Sequence, residues 1–225
     1  MISVPIDASF VGQTLQFGAR SRASNFEPSG VFYDNMTLGV EGCGGDNGGG
    51  GPGGDIAING GFETGAFNDG TENASWQQFP GGGNQSIVTD NPSEGTYAAN
   101  LSIPARQDGD PGVDNLIKNA NLQAGNLTPN ASVTVTFWMR GAFEGAGAVV
   151  FAELFSELDG GGTSKAEILG GAPLTPDSAW TEYSYTTTLG PDVAGGVTLQ
   201  LKVGCGGVEG CGADVYFDDV SIVLN

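Results

Sequence analysis

From Val133 to Met139 the chain alternates strictly. Val133, Val135, Phe137 and Met139 fall on one side of an extended backbone; Thr134, Thr136 and Trp138 fall on the other, and Arg140 continues that polar side. A period of two marks a strand with one buried and one solvated face, because successive side chains leave a pleated backbone in opposite directions. Other short runs read the same way: Gln85 to Thr89, Tyr97 to Ile103, Val113 to Ile117, Ala148 to Leu158, Trp180 to Leu189, Val197 to Val203 and Val215 to Val223, with Ile56 to Ile58 leading in. Asn59-Gly60-Gly61, Asp90-Asn91-Pro92 and Asp110-Pro111-Gly112 punctuate them. Strands of this length between glycine and proline turns predict an all-β chain folded as an antiparallel β-sandwich of jelly-roll type, with no helix.

Two of these runs have a second copy near the N-terminus. Thr14-Leu15-Gln16-Phe17 matches Thr198-Leu199-Gln200-Leu201, and Val31-Phe32-Tyr33-Asp34-Asn35 matches Val215-Tyr216-Phe217-Asp218-Asp219, in one register without a gap. Residues 1–40 therefore read as the C-terminal strands of a preceding similar module. Residues 41–54 form a glycine-rich linker, and residues 55–225 a complete module. Left alone, the apolar side chains of residues 1–40 would seek a partner. They raise the expectation of self-association, by packing on the intact module or by strand exchange between chains.

The 225 residues carry 26 acidic and 7 basic side chains and no histidine, a formal charge of −19. That charge repels nucleic acid, anionic membranes and polyanionic polysaccharides over about 10 Å in moderate salt, and suits neutral ligands and divalent cations. No run of about 18 apolar residues exists, so no membrane insertion is expected. Met1-Ile2-Ser3-Val4-Pro5 lacks the basic start and apolar core of a signal peptide, so an exported module would take its signal from upstream. Without histidine there is no histidine base and no histidine metal ligand. Glu153 and Glu157 share one strand face but stand about 13 Å apart by strand rise, too far to act as a glycosidase pair. No enzymatic activity is expected. Cys205 and Cys211 flank a glycine-rich loop. A disulfide there would pin the loop and imply an oxidising compartment, two free thiols being the alternative, and Cys43 has no evident partner.

Five landmarks stand in a familiar order: Asn59-Gly60-Gly61-Phe62-Glu63 followed by Trp76, Glu94-Gly95-Thr96-Tyr97-Ala98, Leu127-Thr128-Pro129 leading into Val133 to Arg140, Trp180-Thr181-Glu182-Tyr183, and Phe217-Asp218-Asp219-Val220. This pattern resembles carbohydrate-binding modules of the family 4, 9 and 22 type. Asn130 and Val133 depart from it, standing where glycine and tyrosine are usual. The resemblance covers residues 55–225 and implies a jelly-roll sandwich, secreted or at the cell surface. Such a module holds an attached enzyme or surface protein on a polysaccharide bound along an exposed concave face.

Sugar binding needs flat apolar surfaces for the CH faces of pyranose rings and planar polar groups for their hydroxyls. Trp138 and Arg140 lie on the polar side of one strand, and Gln200 and Lys202 on the polar side of another. These four are the expected carbohydrate-binding residues, with Trp76 at the rim of a shallow cleft. Trp180, Tyr183 and Tyr185 are expected in the core. Glu63 in the first turn and Asp218 in the last strand bring hard oxygen ligands to neighbouring ends of a sandwich. That donor set suits a structural Ca2+ ion, which the resembled modules often carry there. A solvated acidic turn is the alternative for that pair. The expected ligand is a neutral polysaccharide of β-glucan, xylan or mannan type. A structural or adhesive module assembling through residues 1–40 is the rival, since one sandwich hosts many functions.

Overall fold

The computed structural model describes residues 54–67 and 76–225 of the chain. The readings made for residues 1–40, for Cys43 and for all of the linker except Gly54 lie outside them. Ten strands form two five-stranded sheets. β2 (Asn84–Val88), β3 (Ala98–Ile103), β10 (Gly212–Leu224), β5 (Ser132–Glu144) and β8 (Thr181–Thr188) make the first sheet in that order. β1 (Gln77–Phe79), β4 (Val113–Leu122), β9 (Gly196–Cys205), β6 (Ala148–Glu157) and β7 (Thr163–Ile168) make the second. Every pairing is antiparallel. The only helical element among the described residues is a 3-10 turn, Leu169–Gly171. This is the jelly-roll sandwich that the alternation predicts.

The alternation works as expected where both neighbours are present. Val133, Val135, Phe137 and Met139 of β5 are buried against Leu199, Leu201 and Val203 of β9 and Val150, Ala152 and Leu154 of β6. Phe137 also stacks on Tyr183, ring centroids 5.4 Å apart. Two strands were not expected. β1 is three residues long, and β7 carries Ser164, Lys165 and Glu167 among its six. Both are edges of the second sheet. Conversely, Ile56 to Ile58 is no strand: the segment makes one isolated bridge, Asp55 to Val223.

That bridge belongs to a small latch. The Ile56 amide donates to the Ile222 carbonyl at 2.8 Å, and the Asp55 carboxylate accepts from the Ile222 amide at 2.8 Å. The pairing of β10 with β5 shifts register between Asp218 and Ser221, a β-bulge in which Asp219 takes a positive φ of 45°. A bulge frees backbone groups from the ladder, and here the freed Val220 amide donates to the Gly60 carbonyl. A Cβ on Gly60 would lie 1.8 Å from the Val220 carbonyl oxygen, so only glycine lets the first turn reach the bulge.

Cys205 and Cys211 are joined by a disulfide that closes the loop between β9 and β10. Closing so short a loop contributes about 2 kcal/mol through the unfolded chain. Replacing both cysteines with serine is expected to lower the denaturation midpoint without changing the far-ultraviolet circular dichroism, and an unchanged midpoint would show that the loop is held by its hydrogen bonds alone.

Candidate functional site

The two sheets present two solvent-side faces, and the expected binding residues divide between them. Cross-strand partners share a face, so Trp138 and Arg140 of β5 lie beside Asp218 and Tyr216 of β10 on the outside of the first sheet. Gln200 and Lys202 of β9 lie beside Glu153 and Phe151 of β6 on the outside of the second. The four do not form one cleft. β5 and β9 alternate alike, but they belong to different sheets, and their polar sides point away from each other.

The outer face of the first sheet is roofed by the loop from Asp90 to Tyr97. Arg140 donates to the Asp90 carbonyl at 2.9 Å, and its guanidinium lies 3.8 Å from the Tyr216 ring centroid and 5.3 Å from that of Trp180. Two rings and a carbonyl hold this cation within the protein, though its buried Nε has no hydrogen-bond partner among the described residues. Trp180 donates its indole N–H to the Asn91 carbonyl at 2.9 Å, so it serves this roof, not the core expected for it. Trp138 lines a cleft of about 540 Å³ together with Trp180, Ser93, Glu94 and Asp219.

Trp76 is 0% exposed. Its indole donates to the Asn59 carbonyl at 3.0 Å and stacks on Phe62, centroids 5.1 Å apart. The expectation that it rims a sugar cleft is corrected: it plugs the end of the sandwich.

Glu63 and Asp218 do meet, at the two flanks of the same loop. Glu63 accepts from the amides of Thr96 and Tyr97 at 2.9 and 3.0 Å. A Cβ on Gly95 would lie 2.3 Å from a Glu63 oxygen, which explains glycine there. Asp218 accepts from the amides of Ser93 and Asp219 at 2.8 and 2.9 Å. Burial raises its carboxyl to about 7, and Asp219 adds like-charge repulsion, against amide hydrogen bonds that favour ionisation. Asp219 is itself raised, by burial first and then by Glu94 and Glu63, against a hydrogen bond from Ser93. The junction thus gathers four carboxylates, and among the described residues no three of them converge at metal-ligand spacing. Backbone amides already occupy both oxygens of Glu63 and of Asp218, and no lysine or arginine ion pair offsets the negative charge of the junction among the described residues.

The outer face of the second sheet is different. Register places Gln77, Lys118, Gln200, Glu153 and Ile168 in one row across the five strands. At the usual spacing of about 4.8 Å that row spans roughly 19 Å. On one side of it lies the row Phe79, Leu116, Lys202 and Phe151, and on the other Thr198, Phe155 and Ala166. Phe79 and Ile168 are 43% and 39% exposed. Gln200 donates to Glu153, and Lys202 pairs with the same carboxylate at 3.7 Å while lying 5.0 Å from the Phe151 ring centroid. A polar stripe between aromatic borders offers planar hydrogen-bonding groups beside flat apolar surfaces.

Phe79, Phe151 and Phe155 escaped the sequence reading. The signal for two of them was present: in β6 both parities are apolar, Val150, Ala152 and Leu154 on one and Phe151 and Phe155 on the other, with Glu153 between. A strand with aromatic residues on its solvent side has something to cover or to bind.

No family model matches the chain, and no curated protein matches it. Solved structures do. The chain is similar to carbohydrate-binding modules. The Family 16 Carbohydrate Binding Module-2 aligns with 75% of this chain and 99% of its own length, at 19% identity and a TM-score of 0.48. TmCBM61, solved in complex with beta-1,4-galactotriose, aligns with 76% of this chain and 99% of its own, at 18% identity and a TM-score of 0.47. The enzymatically active domain of bacteriophage CBA120 tailspike protein 4 aligns with 76% of this chain but 21% of its own, at 12% identity and a TM-score of 0.52. At these identities the likeness is one of fold. No helix among the described residues is long and apolar enough to cross a membrane.

Proposed function

We propose that the module binds a neutral polysaccharide of β-glucan, xylan or mannan type on the outer face of the second sheet, without cleaving it, and so holds an attached protein on that glycan outside the cell. One observation carries the reading. The polar row Gln77, Lys118, Gln200 and Glu153 runs across the outer face of the second sheet between exposed Phe79 and half-buried Phe151 and Phe155, with Gln200 itself only 7% exposed. Hydroxyl groups find donors and acceptors in the row, and sugar CH faces find rings at its borders. The charge of −19 disfavours polyanions. Galactotriose-bound and xylan-binding structures among the similar folds accord with this reading. Native electrophoresis of the full chain through gels containing laminarin, mixed-linkage glucan, xylan, mannan or alginate tests it. Retardation by a neutral glycan is expected, and mobility unchanged in every gel would overturn the proposal.

Calcium is proposed at the junction of Glu63, Asp218 and Asp219, where it would offset charge and hold the 90–97 loop, apart from the sugar. Asp218 gives this a pH signature. Its folded pKa is raised from 3.8 to about 7, so its contribution to stability is complete below the ordinary value and is lost as pH rises through about 7. In chelator, Asp218 alone therefore makes stability fall between about pH 4 and pH 7. Calcium favours the ionised carboxylates, so it is expected to raise the melting midpoint most above pH 7. Melts with calcium and with chelator that superimpose at every pH would remove the ion from the account.

A further inference from the structure

Lys118 stands apart from the other cations. Among the described residues Arg106, Lys165 and Lys202 each pair with a carboxylate, and Arg140 donates to a carbonyl. Lys118 makes no ion pair and no hydrogen bond with any described residue. Its ammonium lies 5.3 Å from the Phe79 ring centroid and 5.8 Å from that of Phe155, in the polar row between Gln77 and Gln200. The nearest acidic member of the row, Glu153, is already engaged by Gln200 and Lys202.

An ammonium has three donors and no acceptor, and two ring faces satisfy none of those donors as a carboxylate would. Among the described residues the charge is thus uncompensated, on a face whose rings suit sugars, in a chain that is otherwise acidic. From this we infer that Lys118 selects polysaccharides bearing occasional carboxylate groups: a sugar ring lies on Phe79 or Phe155 while its carboxylate, or that of a uronic acid branch, pairs with the ammonium. The total charge limits the number of such groups. A single carboxylate at contact gains one partner, whereas a run of them meets the repulsion of the whole molecule within a Debye length of about 8 Å. The preferred chain is neutral for most of its length and sparsely acidic. This rests on the glycan reading of the same face.

The test uses the full chain and two series of affinity gels: neutral laminarin, mixed-linkage glucan, xylan and mannan, and each of the same after light carboxymethylation. The wild type is expected to bind the lightly carboxymethylated form of its glycan about threefold more tightly than the neutral form, the size of one partly exposed ion pair. The preference is expected to vanish in Lys118→Met and in high salt and to return in Lys118→Arg, with unchanged melting midpoints. Equal binding of the two forms by the wild type, or a preference that survives in Lys118→Met, overturns this inference and leaves the glycan reading standing. Failure to bind any member of either series overturns both.

Discussion

Replacing Trp76 with alanine is expected to lower the unfolding free energy by about 3–5 kcal/mol, the range for deleting a buried tryptophan. The ring is fully buried, stacks on Phe62 and donates its N–H to the Asn59 carbonyl. Alanine leaves a cavity at the end of the sandwich and takes the indole hydrogen bond from the Asn59 carbonyl, which keeps that of the Phe62 amide, in the turn that touches the β10 bulge. Urea denaturation followed by circular dichroism measures the loss. Trp76→Phe should recover part of the packing but not the hydrogen bond, and so fall between the two. Affinity for glycan, measured below the unfolding transition, should not change in either. A Trp76→Ala protein with a wild-type midpoint and no affinity would reverse the assignment and make the ring a binding residue.

The second large effect concerns affinity. Phe151→Ala and Phe155→Ala are each expected to weaken glycan binding by about tenfold, as loss of a central aromatic contact costs more than 1 kcal/mol. Gln200→Ala should do likewise by removing the amide that Glu153 orients. Trp138→Ala should change affinity by less than about twofold, because Trp138 lies on the other sheet beneath the roof of residues 90–97. Titration calorimetry with the glycan that retards the wild type gives the four ratios. The opposite ranking, with Trp138 dominant and the phenylalanines silent, would move the binding face to the first sheet.

How far the sequence goes is seen in β5, β6 and β7. In β5 one face packs against the core and the other meets polar surroundings, so burial is written directly into the alternation. β7 has a partner on one side only, and its Ser164, Lys165 and Glu167 are those of an exposed edge. The rule that burial writes the pattern fails there because little is buried. The division of Trp138 and Arg140 from Gln200 and Lys202 was not legible at all. Alternation tells which side of a strand is solvated, but not which sheet the strand joins, and that depends on long-range pairing. Glu63 and Asp218 were legible because the first turn and last strand of a sandwich meet. The amides that hold them, from Ser93 to Tyr97, belong to a loop whose position no local pattern encodes.

The latch between Asp55 and β10 has a mechanical consequence. The chain comes into the sandwich antiparallel to its last strand, beside Ile222 and Val223. A pull applied through Gly54 against a sandwich anchored by its sheet face therefore loads these few hydrogen bonds one after another, as a zipper, instead of shearing many together. The segment before Asn59 should peel first, at low force, and lengthen the tether while β5, β9 and β10 stay folded. A module fixed to a wall in moving water would then yield at its attachment before it yields at its binding face.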